Sequence, residues 1–373
     1  MLPGAELRSV HLNTRIQIMN DVTDKKTEHV LTIEDLKFDP PRLPASRLQA
    51  IAKKHFNISG SLKFLEGERD QNCHITGADG RQYVLKISGA SEDPSVIDFQ
   101  IKALLHIERT DPTIQVPRVV RGENGGLVYR CSSIKGQHQL RMLTYLPGIP
   151  YQRGPRPSLS GTYRVGAFLA RLNRALQGFS HPAAGHFMPW DSTNGLVFRR
   201  QLRELLPDEI QVLIAPVLQR LHDEVYPLLP CLRSQVIHHD GHDANLLRAP
   251  AASEEVVGII DFGDMIYGPI ICDLAIGLAD FVVAAADPAA VAAAMCRGFH
   301  SVLPLQPEET DLLLDLVMAR QILVLQLFEF RRRNMEHPPQ FVISDPPHII
   351  ASLNMLAALD RTAFRRALRE ALI

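Results

Sequence analysis

Two short aliphatic runs, each stopping abruptly at acidic residues, constrain this chain more than any other feature. Val236-Ile237 leads into His238-His239-Asp240-Gly241-His242-Asp243-Ala244-Asn245 before the apolar pair Leu246-Leu247. Val256-Val257-Gly258-Ile259-Ile260 ends at Asp261, with Phe262-Gly263-Asp264 behind it. Runs this short and this rich in β-branched residues read as buried strands. A carboxylate at a strand end sits on rigid backbone and is poorly solvated, a setting suited to a hard cation such as Mg²⁺. Either cluster alone reads equally well as turn chemistry, since Asp, Asn and Gly favour loops. Together they place Asn245 five residues past Asp240 in a His-x-Asp frame, with Asp261 on a second strand. That is the layout phosphoryl transfer needs: a base to orient a hydroxyl, and an Asn and an Asp for metal.

A third element fits the same chemistry. Tyr83-Val84-Leu85-Lys86-Ile87-Ser88 is a strand in which alternation sets Tyr83, Leu85 and Ile87 on one face and Lys86 on the other. An ammonium so placed can meet nucleotide phosphates, whereas a lone strand Lys is otherwise a solvated edge residue.

Around these clusters the chain divides by periodicity. Residues 1–41 are polar and weakly periodic, end in Asp39-Pro40-Pro41, and form an extension with no assigned role. In residues 42–146 a helix behind Ser46 is followed by strands at 61–66, 73–76, 82–88, 127–131 and 139–146. The second and third of these join across Asp79-Gly80, a hairpin signal. Asp93-Pro94 caps and opens a helix carrying Ile97, Ile101, Leu104 and Leu105. Residues 147–373 are mainly helical, with helices over 163–176, 196–205, 208–227, 272–285, 288–302, 307–332 and 347–370. The fold class is therefore α+β, with a small antiparallel-sheet lobe followed by a larger helical one.

Composition removes several classes. Forty Lys+Arg against forty-one Asp+Glu leave a net charge of −1, so bulk charge draws the chain to neither nucleic acid nor an anionic membrane. The most apolar stretch, Met265–Ala286, holds Gly268, Pro269, Asp273, Gly277 and Asp280 and reads as a buried helix, not a membrane span. The first thirty residues carry eight charged side chains and no signal-peptide core. Five scattered cysteines without a CxxC pair read as free thiols in a reducing, cytoplasmic compartment. No GxxxxGK[ST] or GxGxxG occurs, which leaves P-loop and Rossmann schemes without a phosphate cradle.

The combination resembles the aminoglycoside phosphotransferase and choline kinase group, which shares the two-lobed protein-kinase-like fold. Within it, the chain also resembles the hydroxylysine kinases. Glu68-Arg69-Asp70-Gln71-Asn72, Ile97-Asp98-Phe99-Gln100, Leu143-Thr144-Tyr145-Leu146-Pro147-Gly148 and Phe187-Met188-Pro189-Trp190-Asp191 carry that narrower likeness. The resemblance implies Asp240 as catalytic base, Asn245 and Asp261 as ligands of Mg²⁺, and Lys86 on the α- and β-phosphates of GTP or ATP. It implies a hairpin through Asn72 covering the phosphates, and a hinge of Thr144, Tyr145 and Leu146 reading the purine edge. Asp273 is implied as a structural tie between a helix start and the catalytic loop.

The implied acceptor is an amino alcohol, 5-hydroxy-L-lysine first, with homoserine, choline-like and aminoglycoside acceptors as alternatives. For such a substrate Asp191, Asp243 and Asp264 are candidate ammonium partners, and Arg69 and Arg141 candidate carboxylate partners. Two positions depart from the group's pattern. His239 stands where a small residue, often Gly, is usual, and the helix partner of Lys86, normally Glu, would here be Asp98 or Gln100. A metal-dependent phosphohydrolase using His238, His239, Asp240, His242 and Asp243 is the rival class, although HExxH and HxHxDH are both absent. A non-catalytic binding module would be expected to lack Asp240, Asn245 or Asp261, and all three are present.

Overall fold

The computed structural model describes residues 36, 40–193, 206–250, 253–283, 285–335 and 346–373. The extension before residue 36 and the helix expected over 196–205 lie outside the described residues.

The first lobe is built on period-two alternation. Strands β1 (Gly60–Leu65), β2 (Asp70–Gly77), β3 (Gln82–Ser88), β4 (Tyr129–Ser133) and β5 (Gly136–Thr144) form one antiparallel sheet, ordered β1-β2-β3-β5-β4. Cys73, Ile75, Leu85, Ile87, Leu140 and Met142 bury one face against Leu48, Ile51 and Phe56 of helix α1 (Ala45–Phe56). The intervening residues therefore share the opposite face. Register sets Asn72 beside Lys86 and Lys86 beside Arg141, a polar row across three central strands. Gly80, at φ +78°, closes the β2–β3 hairpin as its Asp-Gly pair requires. Helix α2 (Pro94–Thr110) begins with Asp93 accepting the Ser95 N–H at 2.8 Å. Its Phe99, Leu104 and Ile107 belong to the core of the second lobe.

Helices dominate the rest: α3 (Leu159–Ala175), α4 (Asp208–Arg220), α5 (Ile270–Phe281), α6 (Pro288–Val302), α7 (Pro307–Asn334), α8 (Pro346–Ala357) and α9 (Arg361–Ala371). Two small sheets interrupt them. Strand β6 (Ile149–Pro150) pairs with β8 (Leu246–Arg248), which pairs with β9 (Val256–Ile259), while β7 (Ser234–Ile237) pairs with β10 (Ile266–Pro269). These pairings close the two strand ends singled out in the sequence onto neighbouring loops.

Several boundaries differ from the sequence reading for identifiable reasons. Helix α1 starts at Ala45, with extended Pro44 as its N-cap, so Ser46 lies in the first turn and caps nothing. Ser158, accepting the Gly161 N–H at 3.2 Å, starts α3 four residues before Tyr163. Met265–Ala286 is not one helix: β10 occupies Ile266–Pro269, and Pro269, which cannot donate a hydrogen bond, marks the start of α5. The helix expected over 347–370 is two helices, because Asp360 turns the chain and caps α9 through the N–H groups of Thr362 and Ala363. Beyond Arg220, α4 gives way to a π-turn and then a 3₁₀ segment reaching Cys231. No helix among the described residues is long and apolar enough to cross a membrane.

Helices α3 and α6 pack closely because each offers a glycine to the other. A Cβ on Gly166 would lie 2.0 Å from the Met295 carbonyl oxygen, and one on Gly298 would lie 1.9 Å from that of Tyr163. Backbone cannot yield as a side-chain tip can, so Gly166→Ala should cost roughly 2–3 kcal/mol of stability by overpacking. Urea unfolding should show a lower midpoint; an unchanged midpoint would mean the helices can separate freely.

Candidate active site

The acidic loop after β7 is shaped by one buried carboxylate. Asp273, on the first turn of α5, accepts the N–H of His238 at 3.2 Å, that of His239 at 2.6 Å, and the Asn173 amide at 2.9 Å. These bonds bend the chain enough to hold His239 at φ +63°, a conformation that favours glycine. The tie expected of Asp273 is therefore present. The His239 ring is buried beside Asp191, while the His238 ring packs edge-on against Phe262 at 4.6 Å. Neither imidazole lines the cavity described below, so the five-residue ligand set of the hydrolase reading does not converge.

Asp240 comes next in the loop, and both its oxygens are fixed. Asn245 donates its amide to Oδ2 at 2.7 Å and to the Asp240 carbonyl at 3.0 Å, and Arg320 of α7 donates to Oδ1 at 3.1 Å. His242 Nε2 lies 3.6 Å from Oδ2. Burial pushes the Asp240 carboxyl up, but the His242 and Arg320 cations outweigh it and hold the group below the ordinary carboxylate range. His242 answers in kind: burial lowers it, yet Asp240 and Asp280 raise it well above a free imidazole. The second strand end delivers Asp261 at φ +64°, its carboxylate half exposed and accepting the Gly263 N–H at 3.3 Å. The Ile260 N–H donates to the Asn245 carbonyl at 3.0 Å, which fixes the two loops against each other.

Lys86 reaches this site from the sheet. Its Nζ lies 3.5 Å from Asp261 Oδ1 and 3.3 Å from Asp70 Oδ2. The expected helix partner is thus corrected. Asp98 faces Lys102 and His181, and Gln100 accepts from Arg141, whereas the carboxylate beside Lys86 is Asp70 on the neighbouring strand. Burial raises Asp70, but Arg141 at 2.9 Å together with Lys86 brings it below its ordinary value. Gln100 acts at one remove, holding the Arg141 guanidinium that holds Asp70.

A cavity of about 870 Å³ unites these groups, lined by Asn72, Lys86, Asp240 and Asp261 among others. Asn245 is not on its wall but is bonded to Asp240, which is. Asn72 donates its amide to the Glu66 carbonyl at 3.3 Å and so shapes the β1–β2 turn above the cavity. Thr144 ends β5, Tyr145 and Leu146 follow it, all three outside the cavity lining, and the Thr144 and Tyr145 N–H groups donate to the carbonyls of Arg118 and Gln82. Among the acceptor-binding candidates, Arg69, Asp243 and Asp264 line the cavity, with Arg69 paired to Asp264 at 2.7 Å. Arg141 also lines it but is held by Asp70 and Gln100, while Asp191 is buried off the wall and accepts from Thr193. The residues missed in the sequence are Asp70, Asp280 and Arg320. Arg320 had a visible signal, since Ala319-Arg320-Gln321 interrupts an otherwise apolar helix face.

With the site in view, comparison with known proteins defines its class. The chain belongs to the phosphotransferase enzyme family, whose sequence model matches residues 61–310. It is 30% identical over 315 residues to a hydroxylysine kinase of Bos taurus, covering 77% of this chain and 83% of that protein. It is 29% identical over 304 residues to the hydroxylysine kinase of Danio rerio, covering 78% and 85%. Solved structures of similar fold include an amicoumacin kinase in complex with AMP-PNP and Ca²⁺ (TM-score 0.65, 16% identity, 86% of this chain and 97% of that one). A microcompartment-associated aminopropanol kinase gives a TM-score of 0.65 at 19% identity over 88% of this chain and 99% of that one. The two-lobed kinase-like fold is thereby established, and the chain is a phosphotransferase that acts on the alcohol groups of small molecules.

The charge balance at Asp240 has a measurable consequence. Replacing His242 by Gln removes one of the two cations beside the carboxylate, so the Asp240 pKa should rise, and the acid limb of the kcat/KM pH profile should move up by about one pH unit. An unmoved limb would mean that Asp240 is not the group titrating there.

Proposed function

We propose that this protein transfers the γ-phosphate of GTP or ATP, as its Mg²⁺ complex, to the hydroxyl of 5-hydroxy-L-lysine, giving 5-phosphohydroxy-L-lysine. The observation that carries this reading is the meeting of Lys86, Asp240 and Asp261 on one cavity, in a chain about 30% identical to hydroxylysine kinases.

In this reading Asp240 orients the acceptor hydroxyl and takes its proton as the oxygen bonds to phosphorus. Each carboxylate oxygen accepts more than one hydrogen bond, so Asn245 and Arg320 leave room for the hydroxyl. A carboxylate held this acidic is a weak base, but proton transfer is late in a loose phosphoryl transition state, and alignment supplies most of the acceleration. The donors at the metal position suit a hard cation. The Asn245 nitrogen is turned to Asp240, which directs its amide oxygen away, and Asp261 offers a half-exposed carboxylate nearby. Asn245 and Asp261 would hold Mg²⁺ there, and the ion would supply positive charge to offset that on the phosphates. Lys86, already beside Asp261, meets the α- and β-phosphates, and the turn shaped by Asn72 covers them. Since the Thr144 and Tyr145 N–H groups bond within the protein, the purine edge falls to Leu146 and to the carbonyls of this hinge.

Five cysteines without a disulfide and a net charge of −1 fit a cytoplasmic protein working on small molecules, without nucleic-acid or membrane partners.

The test is nucleotide consumption with a panel of acceptors, 5-hydroxylysine, homoserine, choline and an aminoglycoside, with ATP and GTP supplied separately. Turnover should be Mg²⁺-dependent and fastest with 5-hydroxylysine. Asp240→Asn should lower kcat by roughly 10²–10⁴-fold. Near-wild-type turnover of that variant would remove Asp240 from the mechanism, and a faster acceptor elsewhere in the panel would replace the substrate assignment.

A further inference from the structure

Most cations on the cavity wall face carboxylates that explain them. Arg141 and Lys86 share Asp70, Arg69 pairs with Asp264, and Arg331 pairs with Glu68 in the phosphate-covering turn. Arg320 stands apart, because its carboxylate partner is Asp240, the base itself. Its remaining bond, from NH1, goes to the Trp190 carbonyl at 2.9 Å. A cation bonded to a group that must accept a proton weakens that group as a base, which works against the reaction unless the cation also serves the acceptor.

The geometry leaves it free to do so. A guanidinium carries five N–H donors in one plane, and these two bonds use one on each terminal nitrogen. Nε makes neither bond, and it is not among the buried polar atoms without a partner, so it is not sealed inside the protein. Arg320 is only 8% exposed and its accessible part lines the cavity. A desolvated planar fork is the group best matched to a carboxylate.

Resting on the kinase reading above, we propose that Arg320 binds a carboxylate of the acceptor, which makes the acceptor class hydroxy amino acids rather than carboxylate-free amino alcohols. One guanidinium then spans base and substrate carboxylate. The carboxylate accordingly lies close to the reacting hydroxyl, and a short, flexible hydroxy amino acid folds to allow this. Arg320 thereby couples recognition to alignment, since the cation that selects the acceptor also orients Asp240. Arg156 is the rival carboxylate partner on the wall; it is exposed and donates to the Phe281 carbonyl at 3.1 Å.

The experiment compares kcat/KM for 5-hydroxylysine with that for 1,5-diaminopentan-2-ol, the same molecule without its carboxylate, in wild type, R320Q, R320K and R156Q. Wild type should favour the carboxylate-bearing acceptor by tenfold or more. In R320Q that ratio should fall at least tenfold through a rise in KM for 5-hydroxylysine, and R320K, a point charge without the fork, should keep part of it. Should R320Q fail to show a cooperative thermal transition, R320K carries the test, with an expected fall of threefold or more. Equal slowing of both acceptors would overturn the proposal, since Arg320 would then act on Asp240 or the phosphate alone. So would a ratio lost in R156Q and kept in the Arg320 variants, or a wild-type ratio near one, either of which leaves the kinase reading standing. If wild type phosphorylates neither acceptor, the substrate reading fails and this proposal fails with it.

Discussion

Everything at this site depends on Lys86 being brought between carboxylates that belong to different parts of the chain. Asp70 is its neighbour on the sheet, and Asp261 reaches it from the loop after β9 in the helical lobe. The two contacts are unequal. Asp261 is half exposed, and an ion pair so well hydrated is worth only about 0–1 kcal/mol, too little to hold lobes together. The Asp70 side is buried and reinforced by Arg141 at 2.9 Å. Removing one partner from a buried charged group is far costlier than losing a surface pair. Lys86 is therefore firmly placed from the sheet and loosely tethered to the loop that carries Asp261, an arrangement in which the weaker contact is the one open to exchange.

The loops opposite follow the same division between firm support and adjustable reach. Asp273 gathers backbone donors from His238 and His239, and the Asn245 carbonyl receives Ile260, so Asp240 and Asp261 arrive on backbone fixed by buried hydrogen bonds. Their carboxylates then face one cavity in which nearly every cation has a carboxylate partner. Packing unpaired like charges around that cavity would be prohibitive, and paired in this way they form a preorganised field of the kind that stabilises charge in a transition state.

Much of this could be read from the sequence because it rests on local, periodic signals. Alternation around Lys86 placed Leu85 and Ile87 in the core and the ammonium on the other face, and Asp79-Gly80 marked its hairpin. The strand-to-acid transitions at Ile237 and Ile260 marked both loops. Partnerships across the chain were not legible. Asp70 as the neighbour of Lys86 follows from strand register, whereas the family pattern directs attention to Asp98 and Gln100 on α2. Arg320 lies 80 residues from Asp240, on a helix whose apolar spacing announces burial and whose charges announce nothing about their partners. Helix ends went astray where a cap was overlooked, at Ser158 and Asp360, or where a proline divided an apolar run, at Pro269.

The proposed chemistry requires Lys86 and Asp261 to act on the same metal-bound triphosphate. A double-mutant cycle on nucleotide affinity, measured by calorimetry in Mg²⁺ for wild type, Lys86→Ala, Asp261→Ala and the double variant, tests it most directly. Strong non-additivity is expected, with the second substitution costing much less affinity once the first has been made. Additive losses, or a double variant that binds Mg²⁺-nucleotide as tightly as wild type, would contradict it.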